Sequence, residues 1–140
     1  MQITRDFTIA VHSLLCIDYF KDSYTVTSNF IASSVGVNSV IIRNILGKLK
    51  AHNLVEIHHG KKGMKLSKPL EKISLYDIYI AVEAEKRPLV NFHEHPNPDC
   101  PVGSKIHLVL DDRLDQSQKI FEDSLKNTNL SNLLEKLHSL

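Results

Sequence analysis

The chain has 140 residues, of which 42% are hydrophobic and 24% charged, a balance typical of one globular domain with or without a helical arm. No apolar run approaches the ~18–20 residues of a membrane span, and residues 1–6 lack the pattern of a signal peptide, so we expect a cytoplasmic protein with no membrane partner. The net charge of +1 by itself argues against nucleic-acid binding, and two cysteines exclude a disulfide framework.

Helical periodicity covers most of the first 52 residues. Apolar residues recur at helical spacing over 3–20, and a shorter helix is predicted over 28–35 with a cap at Thr27 or Ser28. Asn38 predicts the N-cap of a third helix over 39–52. The inner face of that helix repeats apolar residues at i, i+3, i+4 and i+7 spacing, namely Ile42, Ile45, Leu46 and Leu49.

The rest of the chain predicts two strands and three more helices. The strands are expected over 54–58 and 64–66, joined by a tight basic turn. Ser74 and Asp77 match a capping box, which predicts a fourth helix that ends near residue 83. Three prolines exclude a helix over 91–101. The two C-terminal helices are then expected over 101–127 and 130–137.

Residues 28–49 match the pattern of a helix-turn-helix. Ala32 fills the position where the two helices touch, and Gly36 the turn, where a positive φ is often required. An ordinary helical hairpin would satisfy the apolar positions alone and is the alternative, but the strand pair that follows has the form of a wing. The fold expected is therefore mainly α: a winged helix-turn-helix with a small two-stranded wing and a long C-terminal dimerisation helix. The five inward apolar positions are Ile31, Val35, Val37, Ile42 and Ile45.

A local basic region indicates double-stranded DNA as the partner. Between residues 38 and 68 there are seven lysines and arginines and one acid, Glu56, a local charge of +6. The third helix is expected to enter the major groove, with Arg43 as the candidate for a guanine edge and Asn44 for an adenine edge. The predicted DNA-binding residues are Ser28, Ser39, Val40, Arg43, Asn44, Lys48, Lys61 and Lys62.

The long helix predicts a homodimer. It runs for about seven turns, and its apolar residues spread around it, so it needs more than one partner surface. We expect it to cross its symmetry mate and to pack on the helix at 3–20, which would bring two DNA half-sites under one protein. The alternative is a monomer whose last helix covers the second face. The predicted dimerisation residues are Ile106, Val109, Leu110, Leu114 and Phe121.

Cys100 is the candidate sensor. Proline is favoured at the first position of a helix, so Cys100 is expected at or near the N-cap of the long helix, where the helix dipole stabilises a thiolate. His93 and His95 would add to this effect when protonated. The alternative is an inert thiol in a stiff loop. Cys16 is predicted to be a buried packing residue.

No metal is predicted in this loop. His93, His95, Asp99 and Cys100 are ligand types, but their spacing matches no standard zinc motif. We also expect no enzyme, because no nucleophile–base pair, phosphate loop or paired acid site is evident.

The chain resembles a known family through residues 3–15, 31–37, 46–49, 53–55 and 73–78 and the segment Cys100-Pro101-Val102-Gly103. It is similar to the Rrf-type winged-helix repressors, which include the iron–sulfur cluster regulator and the nitric-oxide-sensing repressor. The resemblance covers almost the whole chain and implies a homodimer with swapped long helices on a palindromic operator.

Two departures from that family pattern matter. Cluster-binding members carry three cysteines in the loop where this chain has only Cys100, so no conventional iron–sulfur cluster is expected. The family's wing often ends Gly-Gly-Tyr, and here it ends Gly63-Met64-Lys65, so wing contacts are expected to differ. The chain looks most similar to the cluster-free branch, whose lone loop cysteine is a sensor of oxidants.

The predicted function is a DNA-binding transcription regulator, a homodimeric repressor switched by oxidation or modification of Cys100. The alternative is a winged-helix adaptor that binds proteins and not DNA, and the local charge of +6 favours DNA. The expected division is a winged-helix domain over 1–84, a proline-rich sensor loop over 85–101, and the dimerisation and terminal helices over 102–140.

Overall fold

The structure is a computed structural model that describes residues 3–58, 63–83 and 88–140. The strands Val55–Ile57 (β1) and Met64–Leu66 (β2) pair antiparallel, with Glu56 opposite Lys65. The architecture is mainly α with a two-stranded wing, as the sequence predicts. The elements in chain order are α1 (Arg5–Tyr19), α2 (Ser28–Val35), α3 (Ser39–Ala51), β1 (Val55–Ile57), β2 (Met64–Leu66), a 3₁₀ turn (Leu70–Lys72), α4 (Leu75–Val82), a 3₁₀ turn (Gly103–Lys105), α5 (Ile106–Lys126) and α6 (Leu130–Ser139).

Side-chain caps set the starts of the two central helices. Thr27 caps α2 by accepting a hydrogen bond from the Phe30 amide, and Asn38 caps α3 by accepting one from the Val40 amide. Gly36 ends α2 with a φ of 84°, a left-handed conformation that costs glycine little. The predicted helix-turn-helix is therefore present, and its two helices pack on each other.

α4 begins with the predicted capping box. The Ser74 hydroxyl accepts from the Asp77 amide at 3.1 Å, and the Asp77 carboxylate accepts from the Ser74 amide at 3.0 Å. Ser74→Ala is expected to lower the free energy of unfolding by about 1 kcal/mol, because the Asp77 amide loses its partner. Urea denaturation measures the loss. Ser117→Ala, in the exposed middle of α5, is the control, and an equal loss there would contradict a specific cap.

The core lies between α1, α3 and α4 and is closed by the start of α6. Leu14, Ile42 and Ile78 are fully buried, and so is Leu130 at the start of α6. The Leu130 amide donates to the carbonyl oxygen of Ile73 at 2.9 Å. The terminal helix therefore packs into the same core as the winged helix.

The start of the long helix is a correction to the sequence analysis. It was expected at residue 101, but α5 begins at Ile106. Gly103 approaches the preceding loop so closely that a Cβ there would lie 2.6 Å from the carbonyl oxygen of Asn97. The chain therefore turns over residues 101–105 before α5 starts. Cys100 is not the N-cap of the long helix.

The predicted packing of the long helix on α1 is not among the main contacts within one chain, and it remains a prediction for the dimer. Within the chain α5 packs on α4, and α6 is the C-terminal helix that contacts α1. In the described ranges no single helix is long and apolar enough to cross a membrane, and only the bent pair α2–α3 meets that test, by length and composition alone.

Candidate nucleic-acid interface

α3 turns its apolar stripe into the core and leaves the opposite face open. Val40, Arg43 and Asn44 are exposed on that face, and Ser39 is half-buried at the first position of the helix. The side chains of Arg43 and Asn44 make no hydrogen bond or ion pair with another described residue. The outer face of α3 therefore carries polar side chains whose donors and acceptors are available to a ligand.

Lys48 differs from these residues because its side chain is already engaged within the chain. Its ammonium group donates to the carbonyl oxygen of Val82 at 3.5 Å and lies 3.9 Å from the carboxylate of Asp6. Lys48 thus ties α3 to α1 and to the end of α4. Its predicted contact with DNA remains a prediction, for a side chain that already has partners within the chain.

A basic cleft of about 520 Å³ lies between α2, α3 and the wing. Ser28 lines it from the start of α2, Arg43 and Lys50 from α3, and His58 from the residue after β1. Gly47 also lines it, and a Cβ at that position would meet no atom within 4 Å. The cleft is therefore open, and its charged side chains are basic. Ser28 and Arg43 are among the predicted DNA-binding residues, whereas His58, which also lines the cleft, is not.

The base of the wing neutralises the one acid of the basic region. Glu56 lies 3.3 Å from His58 and 3.4 Å from Lys65. The hydrogen bond from His58 and the charge of Lys65 lower the pKa of Glu56. The carboxylate of Glu56 is therefore paired with two basic side chains. Lys61 and Lys62, predicted at the tip of the wing, lie outside the described residues.

The thiol of Cys100 sits in the turn before α5. Hydrogen bonds from the backbone amides of Gly103 and Val102 lower the pKa of Cys100, because both donors stabilise the thiolate. The backbone amides of this turn therefore stabilise the thiolate, an effect that was expected from the dipole of the long helix. The side chain is half-buried, which leaves the sulfur partly accessible.

His93 and His95 are placed differently from each other. The ring of His93 stacks on Phe92, and Phe92 stacks on His107 at a centroid distance of 4.0 Å. The side chain of His95 is 93% exposed beside Glu94. Neither histidine is among the causes of the lowered pKa of Cys100. Their predicted part in sensing remains a prediction.

α5 leaves a stripe of apolar residues exposed. Val109 is 65% exposed and Ile120 is 70% exposed. They lie eleven residues apart, about three helical turns, and therefore on the same side. The sequence analysis omitted Ile120 from the dimerisation set. Of that set, Val109 and Leu110 are exposed, and Ile106, Leu114 and Phe121 are half-buried.

A second apolar surface, which the sequence analysis missed, is a groove of about 640 Å³ between α1 and α6. Its walls include Val11 and Leu15 from α1 and Leu133 and Leu137 from α6. Helical spacing marks each of these helices as amphipathic, but only the fold brings two helices so distant in sequence together. We call this surface the α1–α6 groove.

Cys16 is 5% exposed and is a packing residue, as predicted. Its thiol donates to the hydroxyl of Ser34 at 3.4 Å. That hydroxyl lies 2.9 Å from the Nε2 atom of His12. The three side chains connect α1 to α2.

Comparison with known proteins identifies the family. The family model of Rrf2, described as an iron-dependent transcriptional regulator, matches residues 3–136. The chain belongs to the Rrf2 family. It is 34% identical over 135 residues to YwnA of Bacillus subtilis, named as an HTH-type transcriptional regulator, and the match covers 96% of this chain and 98% of YwnA. Members of the Rrf2 family are DNA-binding transcription regulators and not enzymes.

Solved structures support the same fold. A crystal structure described as a transcriptional regulator from Lactobacillus plantarum superposes with a TM-score of 0.75 at 27% identity, over 95% of this chain and 89% of that one. The structure of CymR, the global cysteine regulator of B. subtilis, superposes with a TM-score of 0.70 at 15% identity, over 96% and 97%. The second likeness concerns the fold alone.

The residues of this Rrf2-family chain do not fit an iron–sulfur cluster. Such clusters are held by several cysteine thiolates. Cys100 is the one cysteine of the loop at 91–101, and Cys16 is buried in α1. Across residues 3–58, 63–83 and 88–140, no group of three or more His, Cys, Asp or Glu side chains is arranged to hold a metal ion.

Proposed function

We propose that this Rrf2-family protein is a homodimeric repressor that binds a palindromic operator through α3 and is switched by modification of Cys100. The observation that carries the proposal is the exposed pair Arg43 and Asn44 on α3, whose polar groups have no partner among the described residues. The guanidinium of Arg43 matches the two acceptors of guanine, and the amide of Asn44 matches adenine. The basic cleft beside them suits a backbone phosphate.

The proposed dimer brings together two apolar surfaces of the chain. Val109 and Ile120 are exposed on α5, and the α1–α6 groove is open. In a dimer with swapped long helices, α5 of one chain crosses its mate and covers the groove of the partner. This would account for the predicted packing of the long helix on α1, which is minor within one chain. Burial of these surfaces is the driving force.

The proposed switch acts through the turn that precedes α5. Oxidation or alkylation of the Cys100 sulfur removes the thiolate charge that the Gly103 and Val102 amides stabilise, and it adds volume. Gly103, whose amide is one of the two donors, lies against Asn97, so the turn cannot move without disturbing that contact. We expect the start of α5 to shift, and with it the spacing of the two recognition helices in the dimer.

Three segments follow from this proposal: a winged-helix domain over 1–84, a sensor loop over 85–101 and a dimerisation region over 102–140. α6 also contributes to the winged-helix core through Leu130. The relatives of the chain are bacterial, and bacterial DNA lies in the cytoplasm, which is therefore its proposed location.

A mobility-shift assay on the DNA upstream of the protein's own coding sequence tests both parts of the proposal. Wild type is expected to bind, and hydroperoxide is expected to weaken binding by roughly 5- to 150-fold, the usual range of allosteric coupling. Cys100→Ser should bind without responding to oxidant, and Cys16→Ser is the matched control that should respond like wild type.

Because its thiol pKa is lowered, Cys100 should also react with iodoacetamide at lower pH than free cysteine does.

Two outcomes would contradict different parts of the proposal. Absence of binding at low salt would exclude the repressor and favour an adaptor that binds proteins. Binding that stays sensitive to oxidant in Cys100→Ser would exclude Cys100 as the sensor and leave DNA binding intact.

A further inference from the structure

Val40 is an apolar residue that lies outside the hydrophobic core. It is the second residue of α3 and is 51% exposed, whereas Ile42, Ile45 and Leu46 of the same helix are buried. Its amide donates to the side chain of Asn38 at 2.7 Å, so the helix cap fixes the backbone that carries it. The packing of this chain does not explain why valine stands here.

Val40 lies beside Arg43 and Asn44, the two residues proposed to contact base edges. Arg43 and Asn44 follow it by three and four residues, so the three side chains are neighbours on one helical face. The N-terminal residues of a recognition helix contact base edges in the major groove. When Arg43 and Asn44 reach base edges, Val40 lies in the same groove, one turn nearer to the start of the helix.

The chemistry of the groove selects what Val40 contacts. Guanine, adenine and cytosine present hydrogen-bonding groups there, and an apolar side chain pressed against them leaves those groups unpaired. Thymine is the base that presents a methyl group there, beside its O4 acceptor. The β-branched side chain of valine has a restricted χ1, so its two methyl groups point in a fixed direction. We propose that Val40 selects a thymine in each operator half-site by contact with its 5-methyl group.

The inference rests on the proposed DNA binding by α3, and its test separates the two. Full-length protein first selects duplexes from a random library. Each thymine of the selected duplex is then replaced by deoxyuridine, which removes the methyl group alone. Fluorescence anisotropy is expected to show a loss of affinity of about fourfold per half-site at one symmetry-related pair of positions, the effect of one buried methyl group.

Variants identify Val40 as the reader. Val40→Ser should bind thymine and deoxyuridine duplexes equally at that pair of positions. Val90→Ser, which changes a valine that is 47% exposed outside α3, should keep the wild-type difference. The proposal is overturned when every deoxyuridine substitution is neutral, or when Val40→Ser keeps the same penalty. Failure to select any duplex contradicts DNA binding itself and so removes the basis of both proposals.

Discussion

Replacing Val109 and Ile120 together by aspartate is expected to convert the protein to a monomer and to lower operator affinity by roughly 100-fold or more. The two residues lie on one exposed side of α5, so the double variant places four unpaired carboxylates in the proposed dimer interface, where burial of an unpaired charge is prohibitive. A monomer engages one half-site, and specific affinity depends on both. Sedimentation equilibrium and fluorescence anisotropy measure the two effects.

The matched control is Val90→Asp with Ser23→Asp. It adds the same charge at two exposed positions outside α5 and outside the α1–α6 groove and should leave both the dimer and the affinity unchanged. A Val109→Asp/Ile120→Asp protein that still sediments as a dimer would contradict the proposed interface. Circular dichroism separates loss of the dimer from unfolding of the chain; a folded monomer is expected, since neither residue is buried in the chain's own core.

Arg43→Ala is expected to weaken operator binding by roughly 30-fold or more and to relax the preference at one base pair of each half-site. A bidentate contact with guanine contributes about 1–3 kcal/mol of discrimination, and the dimer makes the contact twice. The free energy of unfolding should change by less than about 0.5 kcal/mol, because Arg43 is exposed and has no polar partner among the described residues. Anisotropy on the operator and on duplexes with single base-pair changes measures the preference.

Lys50→Ala is the comparison for a phosphate contact. Lys50 lines the basic cleft, and its loss should weaken binding to all duplexes alike and reduce the salt dependence by about one counterion per half-site. If Arg43→Ala instead weakens all duplexes equally and keeps the base preference, Arg43 contacts phosphate and does not read a base.

The helix-turn-helix was predictable because its signals are local. Thr27 and Asn38 cap helices through the amides of residues two or three positions further on, and Gly36 adopts the left-handed conformation within its own turn. Such interactions depend on neighbours in sequence, so the pattern of residue types is sufficient. The capping box of Ser74 and Asp77 follows the same logic.

The start of α5 was predicted wrongly because a non-local contact overrides a local preference. Pro101 favours the first position of a helix, and periodicity alone extends the helix back to it. The close approach of Gly103 to Asn97 instead holds a separate turn. The same turn supplies the amides that lower the pKa of Cys100. The stabilised thiolate that the sequence predicts is therefore present, but backbone amides cause it and the long helix does not.

The sequence by itself determined the family, the winged helix-turn-helix and the exposed face of α3, since caps and helical periodicity act within a few residues. Only the tertiary structure decided which side chains of that helix remain available to DNA. Arg43 and Lys48 are both basic residues of α3, but Lys48 reaches Asp6 and Val82, whereas Arg43 meets no polar group of another described residue. The direction of a long side chain depends on the neighbours that folding places around it, and periodicity does not contain them.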